Sequence, residues 1–340
     1  MKKALVTGAT GFLGGQLARY LHRLGWEVTA TGRNEQAGQR LMTDGIRFVA
    51  ADLRDRELIL GACCGQEIVF HCGALSSPWG KYSDFYSSNV IGVQHVAEGC
   101  KRSAVRRLVH VSTPSVYFDY KPRYLIKETD PLPARSANHY AATKRIAEQW
   151  LEQRWREDQL PVIMLRPRAI FGPEEQALLP RLLRASERSG VPLLNGGEAE
   201  IDLTCVDNLL QAMLLCCESA DATLGQTYNI SNGEALPFRE LVSRLFGLLE
   251  LPLRTRHIPY RAAYGVAAML EAAYRLLPLQ GEPSLTRYTV SSIAVPHTLD
   301  IGKAQRELGY MPTVTVEQGL HQFAQWWTDE PIVRERSLNR

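Results

Sequence analysis

The chain has 340 residues, 45% of them hydrophobic, with 39 lysines and arginines against 36 acids and a net charge of +3. That is enough material for a sizeable core, and the near balance of charge, with no basic run interleaved with aromatics, excludes a nucleic-acid track. The seven cysteines form no Cys-x-x-Cys pair, fall mostly in apolar segments and follow no secretory leader, so they read as reduced core thiols of a cytoplasmic protein, and no metal site is expected.

In chain order, KKALVT, WEVTAT, IRFVA, QEIVFHC, RRLVHVS and LPVIMLR read as short buried strands. Between them, Phe12 to Leu24, Phe85 to Arg102 and Tyr140 to Trp155 carry the apolar spacing of helices. This βαβ series predicts an α/β fold, a Rossmann-type doubly wound parallel sheet covered on both faces, with ligands beyond the carboxyl ends of its strands. After Arg166 the regularity loosens into loops rich in Pro and Gly (RPRAIFGPEE, LLNGGEAE, ISNGEALPF) with helices between them. A smaller, interleaved C-terminal part is expected there.

The first strand runs directly into Gly8-Ala9-Thr10-Gly11-Phe12-Leu13-Gly14 and then a helix. In that context Gly8 permits a tight turn, Gly11 a close approach of backbone to a pyrophosphate, and Gly14 close packing of helix on strand, with the helix start facing the anion. Gly8, Thr10, Gly11, Phe12, Leu13 and Gly14 are thus expected to hold a dinucleotide. The domains expected are residues 1–166 for dinucleotide binding, with returns near 201–230, and residues 167–335 mainly for substrate. The second strand ends at Thr31-Gly32-Arg33-Asn34, where an acid would select a free ribose hydroxyl. Arg33 is placed instead to meet a 2′-phosphate, which favours NADP(H) over NAD(H). Asp52 and Leu53, after the third strand, are the expected contacts of the adenine.

Two Tyr-x-x-x-Lys strings compete for the chemistry. Tyr117 to Lys121 leads into Pro122 in a loop, so its spacing does not place both side chains on one helical face. Tyr140 and Lys144 open a helix and lie four apart on one face, where the ammonium is expected to draw the phenol toward working pH. Thr113, after the fifth strand, is placed to hold a substrate oxygen at the cleft end of the sheet.

These strings resemble the extended short-chain dehydrogenase/reductases over essentially the whole chain. TGATGFLG is similar to that family's TGxxGxxG, Tyr140 and Lys144 to its catalytic pair, Thr113 in VSTPSVY to its Ser/Thr position, and Asn89 in NVIGV to its structural and active-site asparagine. LDIGKAQRELGYMP and VEQGLHQFAQWW look like its closing helices. LRPRAIFGP looks more like the 3β-hydroxysteroid dehydrogenase/isomerase-like branch than the sugar epimerases, and Pro114-Ser115 stands where a sugar dehydratase carries an Asp-Glu pair. STPSV, HYAATKRIAEQ, ISNGEALPFRELV and GEPSLTRY most resemble bacterial 2-alkyl-3-oxoalkanoate reductases. The resemblance implies further cofactor contacts at Gly73, Ala74, Asn89, Tyr140, Lys144 and Pro167, and a homodimer formed through a helix bundle.

The reaction implied is NADP(H)-dependent reduction of the 3-keto group of a hydrophobic substrate, with a 2-alkyl-3-oxoalkanoic acid as the leading case. Tyr140 is its acid, Thr113 a second hydrogen-bond partner of the carbonyl oxygen, and Lys144 the residue that tunes Tyr140. A 3β-hydroxysteroid-type dehydrogenase, a nucleotide-sugar epimerase or dehydratase, and a non-catalytic dinucleotide sensor are the alternatives. Ser76, Lys81, Arg168 and Arg181 are candidate substrate contacts, and a cation is expected to meet a carboxylate. Tyr264 to Leu279 reads as an amphipathic helix that supplies an apolar wall to the pocket. It is too short and too interrupted, by Glu271 and Arg275, to span a membrane, though it leaves peripheral lipid contact open.

Overall fold

The computed structural model of the chain describes residues 1–277, 279 and 281–329. Pro278 of the amphipathic run and residues 330–335 of the expected second domain lie outside the described residues. Seven parallel strands form the central sheet: β1 (Lys3–Thr7), β2 (Glu27–Gly32), β3 (Arg47–Ala50), β4 (Ile68–His71), β5 (Arg107–Val111), β6 (Val162–Pro167) and β7 (Thr227–Ile230). Their order is β7-β6-β5-β4-β1-β2-β3. Helices cover both faces, which is why β4 and β6 are buried along their whole length and read as continuous apolar runs. The chain winds outward from β1 in both directions and so leaves a crevice at the carboxyl ends of β1 and β4.

Local sequence explains the elements that border this crevice. The Phe12–Arg23 helix buries Gly14, Gly15, Leu17, Ala18 and Leu21, one stripe at helical spacing, and carries His22 and Arg23 in its last turn, where cations suit the helix dipole. The helix expected over Phe85 to Arg102 is interrupted: Tyr82–Tyr86 passes through a π-helical turn, Ser87–Ile91, into Gly92–Arg102. The wide turn carries Asn89 inward, where it is buried. The His139–Asp158 helix is capped by Asn138, whose side chain accepts from Ala141 N at 2.8 Å, and ends at Gln159 in the left-handed conformation.

The later chain returns to the sheet. The Val206–Glu218 helix places Leu209, Met213 and Cys216 in the core that also holds Val6, Phe70 and Val109, and Tyr228 and Ile230 of β7 join it. A second core lies beyond the sheet, around Phe171, Leu203, Phe238, Leu245, Phe323 and Trp327. The early chain in turn leaves the sheet: Arg123–Ile126 pairs with His297–Leu299 in a separate four-stranded sheet. All seven cysteines are free thiols, five of them buried. Among the described residues no helix is long and apolar enough to cross a membrane.

Candidate active site

The ends of β1, β2, β3 and β4 enclose a cavity of about 300 Å³ lined by Gly8, Thr10, Gly11, Arg33, Asp52, Leu53, Gly73 and Ala74, all named from the sequence, together with Thr31, Gly32, Ala51, Cys72, Leu75 and Ser88. The turn is sterically specific. Gly8 has φ +69°, and a Cβ there would lie 2.5 Å from Gly73 Cα; a Cβ on Gly14 would lie 2.4 Å from Gly8 O. The Phe12–Arg23 helix starts at Gly11 with no side-chain cap and no acid in its first turn. The Phe12, Leu13 and Gly14 amides therefore have no intrahelical acceptor, which leaves donors and a positive dipole end for an anion. These features fit a dinucleotide pyrophosphate.

At the rim, the Arg33 side chain is 65% exposed and stands 3.9 Å from Asp52. Arg54, which sequence reading did not single out, grips the Asp52 carboxylate at 2.7 and 3.0 Å and holds it below the usual carboxylate range. Asn89 fastens the far wall. Its amide donates to Leu75 O at 3.1 Å and Thr143 Oγ1 at 3.2 Å, while its carbonyl accepts from Leu75 N at 2.7 Å. Pro167 closes β6, buried and paired with Ile230, and does not line the cavity.

Tyr140 and Lys144 follow the Asn138 cap, one turn apart, at the carboxyl end of β5. Burial pushes the Tyr140 phenol up to about 12, while hydrogen bonds with Thr113 and Ser76 act in the opposite direction. This reverses the direction expected from the neighbouring ammonium. Burial of the phenol is the larger cause, and the ammonium is engaged elsewhere: Lys144 Nζ donates to Val111 O at 2.7 Å and to His110 Nε2 at 3.1 Å. Burial brings Lys144 down to about 8. A lysine ammonium only donates, so His110 Nε2 accepts and its ring proton sits on Nδ1, which has no partner among the described residues. His110 stacks on His71 with ring centroids 5.2 Å apart, and His71 Nδ1 meets Thr7 Oγ1 at 2.6 Å. Burial holds both imidazoles neutral, His71 at about 3 and His110 well below its ordinary value.

Thr113 belongs to a longer line of hydroxyls. It donates to Ser115 Oγ at 2.9 Å, and Ser115 Oγ lies 2.6 Å from Tyr288 OH. Ser115 and Tyr288 were not singled out as site residues from the sequence; they are 173 positions apart, and no local pattern links them. The competing pair does not form. Tyr117 ends a short 3-10 turn, fully buried, with its hydroxyl donating to Asn229 Oδ1 at 3.0 Å and accepting from Arg166, whereas Lys121 is exposed.

A second cavity, about 580 Å³, opens beside the start of the Tyr140 helix, lined by Trp79, Lys81, His139, Tyr274, Arg287 and Tyr288 among others. Of the four candidate substrate contacts, Ser76 lies at Tyr140 and Lys81 on this wall. Arg168 is buried, with Nη2 donating to Ser292 O at 3.4 Å, and lines neither cavity; Arg181 is exposed on the Leu179–Arg188 helix and lines neither. The amphipathic segment forms the Tyr260–Leu276 helix and does border the cavity, through Glu271, Tyr274 and Arg275 and, just beyond the helix, Leu279. Its aliphatic residues Val266, Met269 and Leu276 are exposed. The wall is thus mainly aromatic and charged, because Glu271 turns inward to bind Arg287 at 2.8 Å and fixes the rotation of the helix.

A model of the NAD dependent epimerase/dehydratase family matches residues 4–231. The chain is 36% identical over 334 residues to a 2-alkyl-3-oxoalkanoate reductase of Stenotrophomonas maltophilia, covering 94% of this chain and 98% of that protein. It is 29% identical over 332 residues to the mouse decarboxylating sterol-4-alpha-carboxylate 3-dehydrogenase, covering 95% and 90%. A UDP-glucose 4-epimerase structure from Thermotoga maritima shares the fold, with TM-score 0.77, 21% identity and coverage of 97% of this chain and 99% of that one. The glycine turn, the crevice at the ends of β1 and β4 and this relatedness converge: the chain belongs to the NAD dependent epimerase/dehydratase family and is an oxidoreductase of the extended short-chain dehydrogenase/reductase type.

Proposed function

We propose that the protein reduces the 3-keto group of a hydrophobic substrate, best a 2-alkyl-3-oxoalkanoic acid, with NADP(H), using Tyr140, Thr113 and Lys144. The observation that carries this reading is the hydroxyl set at the end of β5, where a phenol that keeps its proton stands against Thr113 and Ser76. A dinucleotide held there would supply hydride to the ketone carbon. Tyr140 gives its proton to the oxygen as that oxygen becomes an alkoxide, Thr113 and Ser76 hold the same oxygen, and Lys144, one turn along the helix, holds the nicotinamide ribose. Gly8, Thr10, Gly11, Phe12, Leu13, Gly14, Asp52, Leu53, Gly73 and Ala74 hold the dinucleotide, and Arg33 meets a 2′-phosphate.

The second cavity suits an acid with an apolar body: Trp79, Tyr274 and Tyr288 offer ring faces, and Lys81 offers a cation for the carboxylate. The reductases it resembles support the same substrate class. A sugar dehydratase is disfavoured by Pro114-Ser115, since Ser115 is engaged between Thr113 and Tyr288.

The test is steady-state reduction of 2-alkyl-3-oxoacids of increasing chain length, with a 3-ketosteroid and UDP-glucose beside them, using NADPH and NADH. The expected result is turnover of the oxoacids, kcat/KM rising with chain length, and a preference for NADPH that Arg33→Ala reduces by roughly ten- to a hundredfold. Turnover confined to UDP-glucose would overturn the substrate assignment, and equal use of the two cofactors by the wild type would overturn the role of Arg33.

A further inference from the structure

The Tyr260–Leu276 helix has two working faces. Its inner face buries Ala263, Ala267 and Glu271. Its outer face carries Ala262, Val266, Met269, Ala272 and Leu276, spaced three or four residues apart, so they form one stripe along all four to five turns. Val266 is 44% exposed, Met269 66% and Leu276 84%, and exposed Leu277 follows. Apolar side chains this exposed are not scattered singly over a surface; they share one line and one neighbourhood.

The charge around the stripe is mainly positive. Between Leu251 and Leu277 the chain carries four arginines (Arg254, Arg256, Arg261 and Arg275) and a single acid, Glu271, which is buried and bound to Arg287 and Arg275. The four arginines are exposed. Arg254 and Arg256 lie at the short strand that leads into the helix, and Arg275 stands at its far end over the Trp79 ring, 5.5 Å from the centroid.

We propose that this face docks on the surface of an anionic lipid bilayer, with the stripe in the acyl boundary and the arginines among the headgroups. An amphipathic helix with an apolar stripe and cationic flanks binds such a surface through buried apolar area and attraction to anionic lipid together. The same charge disfavours a second copy of the chain as the occupant. In a two-fold contact the patch meets itself, and the four arginines would face arginines, with the nearest exposed acids along the chain, Glu250 and Glu282, outside the run. The docking stands independently of the reaction proposed above.

The experiment is flotation of the full chain with vesicles of phosphatidylcholine alone and of phosphatidylcholine mixed with phosphatidylglycerol, at low and high salt. The protein should float with the mixed vesicles, less well at high salt, and weakly with phosphatidylcholine alone. Met269→Glu with Leu276→Glu should lower the partition coefficient more than tenfold. Arg254→Ala with Arg256→Ala should lower it by about fivefold per arginine and flatten its salt dependence. Met42→Glu, at an exposed methionine on another helix, should leave flotation unchanged. Circular dichroism checks that each variant keeps its fold, and the arginine pair serves as the test if the double glutamate variant does not. Failure of the wild type to float with the mixed vesicles, or flotation unaffected by either pair, overturns the proposal. So does a wild-type dimer in sedimentation velocity that Met269→Glu with Leu276→Glu converts to monomer without lipid, since that would give the stripe to a second copy.

Discussion

A phenol held at about 12 keeps its proton through neutral pH and gives it up only to a strong base, such as an alkoxide formed beside it. Tyr140→Phe should therefore lower kcat by roughly 10²–10⁴-fold while leaving the cofactor Kd, read by fluorescence titration, nearly unchanged. Tyr117→Phe should do the reverse. It removes a buried hydroxyl that serves Arg166 and Asn229, so it should cost about 1–3 kcal/mol of stability with kcat retained. Reversed outcomes would mean that the wrong tyrosine carries the chemistry. The support under Lys144 makes a second claim at this scale. Its ammonium, brought down to about 8, has two acceptors, Val111 O and His110 Nε2. Taking away an acceptor disfavours the charged form, so in His110→Phe the pKa should fall further and the alkaline loss of reduction activity should begin at lower pH. His110→Gln offers an amide oxygen and should restore the limb toward the wild-type position. A pH–rate profile identical in all three proteins would reduce His110 to packing.

The glycine turn between β1 and the Phe12–Arg23 helix invites a comparison of two glycines. Gly8 (φ +69°) and Gly25 (φ +79°) both lie where an L-residue is strained, but a Cβ on Gly25 meets nothing within 4 Å, whereas one on Gly8 meets the Gly73 backbone at 2.5 Å. Gly25→Ala should cost roughly 1–2 kcal/mol in Tm-derived stability and leave the cofactor Kd alone. Gly8→Ala should push the loop after β4 outward and weaken cofactor binding by more than tenfold. Equal Kd values for the two variants would show that the close approach is not what the turn is for. This junction was legible in the sequence because turn, strand and helix are contiguous, and each glycine's spacing reports a local steric demand. Six of the seven strands of the main sheet were legible for a similar reason, most clearly β4 and β6, which burial on both faces makes apolar runs, whereas β7, Thr-Tyr-Asn-Ile, carries no such run and does not read as a strand. Other features were not. Periodicity shows which residues of Tyr260–Leu276 share a face but not which face turns inward, a choice made by Glu271 meeting Arg287 from another helix. His110 reads as any strand residue until Lys144 arrives from a helix 34 positions on. The line from Thr113 through Ser115 to Tyr288 depends on packing across about half the chain.

The sheet cannot be completed without the late chain, and this bears on how the whole molecule folds. β7 pairs along β6, Tyr228 opposite Leu165 and Asn229 opposite Arg166. Asn229 also satisfies groups far outside the sheet: its carbonyl accepts from Tyr117, its amide donates to Ile126 O at 2.8 Å, and its backbone N–H donates to Glu128 at 2.7 Å. The buried Arg166–Glu148 pair, at 2.7 Å, lies against the same tyrosine. A fragment of residues 1–167 would keep six strands and the whole cofactor turn. It would lose β7, the Val206–Glu218 helix that fills the core beside Phe70 and Val109, and Asn229 as the partner of three groups. Each stranded buried group costs on the order of 1–3 kcal/mol, and the uncovered face of the sheet adds the loss of apolar burial, against a net stability of about 5–15 kcal/mol for a typical domain. The fragment should therefore show no cooperative thermal transition, no native near-ultraviolet circular dichroism and no saturable binding of NADPH, while the full chain melts cooperatively and its Tm rises as NADPH is added. A fragment that melts cooperatively and binds NADPH would mean that the first six strands form an independent unit and that the later return of the chain is an addition to it.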